Sequence, residues 1–302
     1  THDFNGEIEL AGYDYSVSRV GQGKGFGIEL LWRAKHQPED NYTLLVEAVD
    51  AGGSVLHAVE VQPVAGEAPT GSWAAGQFIR DQVNMVIPAG APPGDDALHV
   101  RLSWLRPDGS RLNLRRWQIP MGSSLELGSL DVVEKADRRF TPPPMTFTLD
   151  ANFDNQAKLL GYNTSLLSQP NATTDFQLNL LDCRTQEKGC QLSFEFYWQG
   201  ISEMDRLYQV FAHVVNAEGE IVAQQDKVPG VRGKQPTTGW LPGEVVTDPL
   251  DIPLPSDLPP GRYTLRLGLY FPPDGPRLQI LDAANQPTGD FVNIGTIELL
   301  DE

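Results

Sequence analysis

The feature that most restricts the fold of this chain is an internal repeat. The segment Phe4–Asp14 aligns with Phe153–Asn163, and Pro69–Gly76 aligns with Pro236–Gly243. Further matches in the same order are Trp32 with Trp198, Tyr42 with Tyr208, Asp81 with Asp248, Pro93 with Pro260, and Asp108 with Asp274. Because tryptophan, glycine and proline are scarce or have strict backbone roles, this conserved order predicts two copies of one design.

A proline-rich segment separates the two copies. It ends in three consecutive prolines, Pro142 to Pro144, and such a run favours an extended polyproline conformation. We therefore predict a first domain over residues 1–133, a semi-rigid linker over 134–144 and a second domain over 145–302. A chain of 302 residues is long enough for two domains that each bury a core of their own.

The apolar pattern within each copy has a period of two residues, which is typical of strands with one buried face. The clearest stripes are Leu98, Val100, Leu102 and Trp104 in the first copy and Leu265, Leu267, Leu269 and Phe271 in the second. Turn sequences such as Pro107-Asp108-Gly109 separate the stripes. The pattern predicts an all-β chain: two tandem antiparallel β-sandwich domains, immunoglobulin-like or jelly-roll, with about eight strands each.

Both cysteines, Cys183 and Cys190, lie in a segment that is inserted in the second copy before Trp198. We predict that they form a disulfide across a hairpin, with free thiols as the alternative. Two thiols without a nearby histidine are too few for a metal site, and the spacing is not that of a redox motif. A disulfide would place the protein in an oxidising compartment.

The charge of the chain restricts its partners. A net charge of −17 opposes binding to nucleic acid and to anionic membranes. No stretch approaches the roughly 20 apolar residues of a membrane span, and the start Thr1–Phe4 lacks the features of a signal peptide. We expect an extracytoplasmic protein, either secreted in mature form or excised from a longer one, that reaches a membrane only through a segment absent from this chain.

The second copy carries a recognisable set of segments, namely Trp198–Gln199, Val210–Val215, Pro236–Glu244 and Leu258–Tyr270. Over nearly its whole length, this copy resembles the extracytoplasmic C-terminal β-sandwich module of bacterial multi-pass membrane glycosyltransferases of the mannosyltransferase type and of related surface proteins. The first copy resembles it more weakly. The resemblance implies an accessory module rather than a transferase, because the catalytic membrane portion has no counterpart here.

The first copy departs from this pattern at three positions. The replacements are Glu47 for His213, Ala75 for Pro242 and Gln77 for Glu244. Any function that depends on these residues is therefore in doubt in the first copy. If one domain binds a ligand, we expect it to be residues 145–302.

A search for catalytic and metal-binding motifs gives little. The serine-hydrolase elbow, the zinc-protease helix motif and the phosphate-binding loop are all absent. None of the histidines, which are His2, His36, His57, His99 and His213, forms a ligand-spaced pair. We predict no catalytic residue, metal or cofactor; Asp95-Asp96 is read as a solvated turn, with a calcium site as the alternative.

Two tryptophans lie in polar loops where no strand pattern requires a large ring. Trp73 and Trp240 either cap the open end of their own sandwich or stack on a sugar ring. Asp81 and Asp248 are read as strand-entry residues that accept hydrogen bonds from turn amides, with ligand contact as the alternative. With Glu244, these four residues form the candidate ligand-binding set.

Three hypotheses about function follow. The first is a non-catalytic extracytoplasmic module that binds glycan or positions a glycosyltransferase or surface assembly. The second is a purely structural or protein-interaction spacer of a cell-surface layer. The third is a glycoside-active hydrolase with a site between the domains, for which the abundant carboxylates supply the residue type but no identified pair.

Overall fold

The computed structural model describes residues 2–117, 119–168, 175–181, 189–273 and 275–301. Strands make up 54% of the chain, and no helix of seven or more residues occurs in the described part, so the all-β prediction is confirmed. The chain divides into two compact units, Thr1–Ala136 and Asp137–Glu302. This division lies inside the segment that the sequence marks as a linker. Within the described ranges, no helix is long and apolar enough to cross a membrane.

The first domain consists of two sheets. Its strands are β1 (His2–Phe4), β2 (Ile8–Tyr15), β3 (Arg19–Gly21), β4 (Gly25–Ala34), β5 (Thr43–Asp50), β6 (Val55–Val61), β7 (Phe78–Val86), β8 (Gly94–Leu105), β9 (Leu114–Arg116), β10 (Ile119–Pro120) and β11 (Leu125–Val133). One sheet has the order β10-β9-β1-β2-β4-β7, and the other has the order β3-β11-β8-β5-β6. Two short 3-10 helices, Pro63–Gly66 and Thr70–Ser72, connect β6 to β7.

The second domain also consists of two sheets. Its strands are β12 (Phe147–Phe153), β13 (Ala157–Thr164), β14 (Leu167–Ser168), β15 (Asp175–Asn179), β16 (Gln191–Gly200), β17 (Gln209–Val215), β18 (Ile221–Lys227), β19 (Val245–Pro253), β20 (Gly261–Tyr270), β21 (Ile280–Leu281), β22 (Pro287–Gly289) and β23 (Val292–Leu300). The sheet orders are β19-β16-β13-β12-β21-β22 and β14-β15-β23-β20-β17-β18. The 3-10 helices Val231–Gly233 and Thr237–Gly239 connect β18 to β19.

The two domains share one topology. The order β3-β11-β8-β5-β6 in the first domain recurs as β15-β23-β20-β17-β18 in the second. Its last four strands follow the G-F-C-C′ order of an immunoglobulin-like sheet. The outer pair, β3 with β11 and β15 with β23, is parallel in both domains, whereas a jelly roll is antiparallel throughout. The topology therefore favours the immunoglobulin-like alternative.

The described residues contain more strands than the expected eight or so per domain. The difference comes from short strands of two or three residues at or next to sheet edges, such as β3, β9, β10, β21 and β22. Segments of this length carry no readable alternation, because a period of two needs at least four residues to be recognised.

The core of each domain follows the alternation read from the sequence. Leu98, Val100, Leu102 and Trp104 of β8 are fully buried, as predicted. Trp104 meets Trp32 of the opposite sheet at a ring distance of 5.0 Å, so the two sheets pack face to face. Each such large apolar side chain stabilises the fold by roughly 1.5–3 kcal/mol through its removal from water.

A β-bulge recurs at equivalent positions of the two domains. The register shifts between Leu10 and Gly12 where β2 pairs with β4, and between Leu159 and Gly161 where β13 pairs with β16. In the second domain the backbone passes very close to this glycine, because a Cβ on Gly161 would lie 2.1 Å from the carbonyl oxygen of Phe147. A side chain has no room there.

We expect Gly161→Ala to lower the free energy of unfolding of the second domain by about 1–3 kcal/mol, because the backbone must shift to admit the methyl group. Urea unfolding of the full chain followed by far-UV circular dichroism measures this. Gly12→Ala is the matched control: a Cβ there finds no atom within 4 Å, so we expect a change within about 0.5 kcal/mol. Equal losses in both variants would contradict the role of the close approach.

Candidate functional site

The repeated tryptophan loop has the same structure in both domains. Trp73 and Trp240 follow directly on the 3-10 helices Thr70–Ser72 and Thr237–Gly239. Each indole N–H donates to the carbonyl oxygen five residues earlier, at 2.9 and 3.0 Å. The rings are only 1% and 0% exposed. They therefore cap the core, and neither ring offers a face on which a sugar could stack.

A threonine fixes each of these loops to the start of the neighbouring strand. The Thr70 hydroxyl accepts from the amide of Tyr42 and donates to the carbonyl of Asp40, both at 2.7 Å. Thr237 makes the same pair of hydrogen bonds with the amide of Tyr208 and the carbonyl two residues before it. The Pro-Thr motif that repeats in the sequence is thus a structural anchor.

Asp81 and Asp248 are buried below the loop that precedes their strands. Asp81 Oδ1 accepts from the amide of Val64 at 2.9 Å, and Asp248 Oδ1 accepts from the amide of Gly230 at 2.8 Å. The predicted hydrogen bonds to turn amides are therefore present. The residues are 3% and 0% exposed, which leaves no surface for the alternative of ligand contact.

Asp248 has a cationic partner as well. The ammonium group of Lys227 lies 2.6 Å from its Oδ1. Burial raises the pKa of the Asp248 carboxyl above its ordinary value, and Lys227, the Gly230 amide and the indole of Trp198 oppose this rise. The arrangement is a buried ion pair that holds a loop.

Glu244 belongs to the same structural network. It is 1% exposed, accepts from the amide of Leu241 at 3.0 Å and forms an ion pair with Arg138. In the first domain Gln77 accepts from the amide of Ala74 in the same way, at 2.8 Å. The five residues of the candidate ligand-binding set thus stabilise loops. The polar neighbours of the two tryptophans left capping and sugar stacking as alternatives, and their burial favours capping.

The other sites predicted from the sequence are the Cys183–Cys190 disulfide and the Asp95-Asp96 turn. Cys183 lies outside the described residues, so its disulfide with Cys190 stays a prediction. Asp96 accepts from the hydroxyl of Ser129, while its amide donates to Asp131. Over the described ranges, no three His, Cys, Asp or Glu side chains come together in a way that would hold a metal ion.

A different group of side chains lines a concave surface on the outer face of the sheet that contains β17, β18 and β20. We call it the His213 depression; its volume is about 260 Å³. The lining residues are Phe211, His213, Asp226, Tyr270, Pro273, Gly275 and Arg277. They come from three strands and from the loop after β20.

Aromatic and cationic groups stack at the floor of the depression. The Phe211 ring lies directly over Gly268, where a Cβ would come within 2.4 Å of the ring. The guanidinium of Arg277 lies over the same ring at 4.3 Å, and the His213 ring is 4.8 Å away. Only a glycine at position 268 lets Phe211 lie this close to the sheet.

His213 and Asp226 face each other without a hydrogen bond. His213 Nε2 lies 3.7 Å from Asp226 Oδ1, and that oxygen is buried without a hydrogen-bond partner among the described residues. Burial lowers the pKa of His213; Arg277 and Arg266 add to this, while Asp226 acts in the opposite direction. A buried acceptor without a donor leaves a free hydrogen-bonding position.

The equivalent place in the first domain is filled by a closed ion-pair cluster. Glu47 stands where the second domain has His213, and its Oε2 lies 3.0 Å from Arg101 Nε and 3.4 Å from Arg111 Nη2. The strand pairing equates these arginines with Arg266 and Arg277. The second domain therefore has arginines at both equivalent positions, but a histidine where the first domain has the carboxylate between them.

No protein-family model matches the chain, and no curated protein sequence is significantly similar to it. The resemblance to the glycosyltransferase module therefore stays a prediction. The strongest signal for the His213 depression was already in the repeat alignment, where Glu47 is replaced by His213. The local sequence does not show what this difference does, because Arg266 and Arg277 are far from His213 in the chain.

Proposed function

We propose that this chain is a non-catalytic, extracytoplasmic binding module, and that its second domain holds a glycan in the His213 depression. The observation that carries the proposal is the composition of this surface, which combines the half-buried ring of Tyr270 with the polar side chains of His213, Asp226 and Arg277, above the buried ring of Phe211. Concave sites of this kind use apolar rings for contact area and a few polar groups for orientation. At about 260 Å³, the depression suits a single sugar unit.

The side chains of the depression favour binding over hydrolysis. Glycoside hydrolysis normally requires two carboxyl groups on opposite sides of the bond, and Asp226 is the one carboxylate among the described lining residues. These residues include no serine, threonine or cysteine beside His213 that a histidine base would activate.

The extracytoplasmic location rests on the sequence. The predicted Cys183–Cys190 disulfide requires an oxidising compartment, and the resemblance of the second copy points to the same side of a membrane. The net charge of −17 is compatible with a surface or secreted protein that repels nucleic acid over most of its area.

Tyr270→Ala tests the site. We expect the full chain to bind glycans in an array of neutral and acidic polysaccharides, and the variant to lose about tenfold or more in affinity, as for a ring at the centre of an interface. The matched control is Leu105→Ala, since Leu105 occupies the position of Tyr270 in the first domain. Equal binding by both variants and the parent chain would place the glycan elsewhere.

A structural spacer of a cell-surface layer is the second candidate. The observation that favours it is the burial of Trp73, Trp240, Asp81, Asp248 and Glu244, because the residues that repeat most clearly serve the folding of each domain. A full chain that binds nothing on the array would support this candidate.

A further inference from the structure

We infer that the His213 depression recognises a sugar unit that carries a carboxylate, so that its ligand is an acidic glycan. This inference rests on the proposed function and names the chemical class of its ligand. The carboxylate would supply, from above His213, the negative charge that Glu47 supplies between the arginines of the first domain.

Arg277 is the first support, because it lines the depression. Arg266 is not a lining residue, and its guanidinium lies over Phe291 at 4.7 Å. Arg277 is paired with Asp290 at 3.3 Å, with both side chains more than a third exposed. An exposed pair of this kind is weak, so a ligand carboxylate can compete for Arg277. Guanidinium groups match the planar geometry of a carboxylate.

Asp226 is the second support. Its side chain is 28% exposed at the wall of the depression beside His213, and its Oδ1 has no donor in the described part of the chain. A sugar hydroxyl in the depression would donate to this carboxylate. The ligand must therefore offer a carboxylate to the arginine and donate a hydroxyl hydrogen to Asp226. A uronate does both, whereas a simple anion has no hydrogen to donate.

The surroundings of His213 make the binding dependent on pH. The charged and titratable groups that face it are Asp226 from β18, Arg266 and Tyr270 from β20, and Arg277 from the following loop. A bound carboxylate favours the protonated imidazole and raises the pKa of His213. Affinity for a uronate should therefore increase as the pH falls from 7.5 to 5.5. The increase is at most tenfold for each unit by which the bound carboxylate raises the pKa of His213. His213→Gln should remove this dependence.

The experiment uses the full chain and monosaccharide probes in ligand-observed NMR. The probes are glucuronate, galacturonate and mannuronate, their methyl esters as uncharged controls, and glucose 6-sulfate as a differently charged one. We expect at least one uronate to bind, and its methyl ester to bind at least tenfold more weakly. Arg277→Gln and His213→Glu should abolish the preference for the uronate, since the second change restores the carboxylate of the first domain. Arg111→Gln, the first-domain counterpart of Arg277→Gln, should leave it unchanged.

The outcomes separate this inference from the proposed function. If glycans bind in the Tyr270-dependent manner but a uronate and its ester bind equally, the inference is overturned and the proposed function stands. Equal binding of glucose 6-sulfate shows recognition of charge alone and overturns the assignment to a uronate. A chain that binds no glycan in either experiment overturns both. Because His213 is buried, circular dichroism must show that His213→Glu is folded; the partly exposed Arg277 provides a test that does not depend on that variant.

Discussion

Replacing Trp240 with alanine is expected to destabilise the second domain by about 3–5 kcal/mol, the usual loss for a large aromatic ring deleted from a core. The ring is 0% exposed, packs against Trp198 at 6.5 Å and donates its indole N–H to the carbonyl of Gln235. The cavity left behind cannot collapse easily, because Thr237 holds the loop to the start of β17.

Differential scanning calorimetry of the full chain measures this effect. Trp73→Ala should act in the same way on the first domain, since its ring is 1% exposed and meets Trp104 at 6.0 Å. Trp117→Ala is the surface control: this side chain is 79% exposed, and we expect a change within about 0.5 kcal/mol. A Trp240→Ala variant as stable as the parent chain, but deficient in glycan binding, would reverse the assignment of this ring from cap to binding platform.

The second large effect is expected for Asp248→Ala, which removes one partner of a buried ion pair. Such a change costs about 3–5 kcal/mol because the remaining charge stays buried without a counterion. Here the amide of Gly230 loses its acceptor, and Lys227 loses its counterion while its ammonium group still donates to the carbonyls of Gly230 and Pro249. We expect Asp248→Asn to be milder, because the amide oxygen still accepts these hydrogen bonds while the charge is lost.

The first domain supplies the matched comparison. Asp81 accepts from the amides of Val64 and Gln82, and Val61 stands in the position of Lys227. Asp81→Ala therefore leaves amides without an acceptor but no lysine without a counterion, and we expect a loss of about 1–3 kcal/mol. Urea unfolding of both variants tests the difference. Equal losses for Asp81→Ala and Asp248→Ala would show that the ion pair with Lys227 adds nothing.

The fold was readable from the sequence where the signal is local. The alternation over Leu98–Trp104 and its counterpart Leu265–Phe271 marks the buried faces, because a strand places every second side chain on one side. The repeat then carries each assignment from one domain to the other. The parallel pairs at the sheet edges were not readable, since β3 and β11 join residues that are far apart in the chain and β3 has only three residues.

The sites were harder to read, because burial depends on tertiary structure. Trp73 and Trp240 have polar neighbours in the sequence, and nothing local shows that their rings fold back onto the core. The His213 depression combines residues from β17, β18, β20 and a loop, so no short motif marks it. The expectation that residues 145–302 bind a ligand stays a prediction, and the His213 depression lies within those residues.

The parallel pairing of β3 with β11 and of β15 with β23 has a mechanical consequence. In each domain an early strand runs alongside the final strand of that domain in the same direction. Tension that pulls these two strands towards their opposite ends loads the hydrogen bonds between them in shear, so that they resist together instead of separating one after another. The pairing covers five residue pairs in the second domain and three in the first. We therefore expect the second domain to resist such tension better than the first, because more hydrogen bonds share the load.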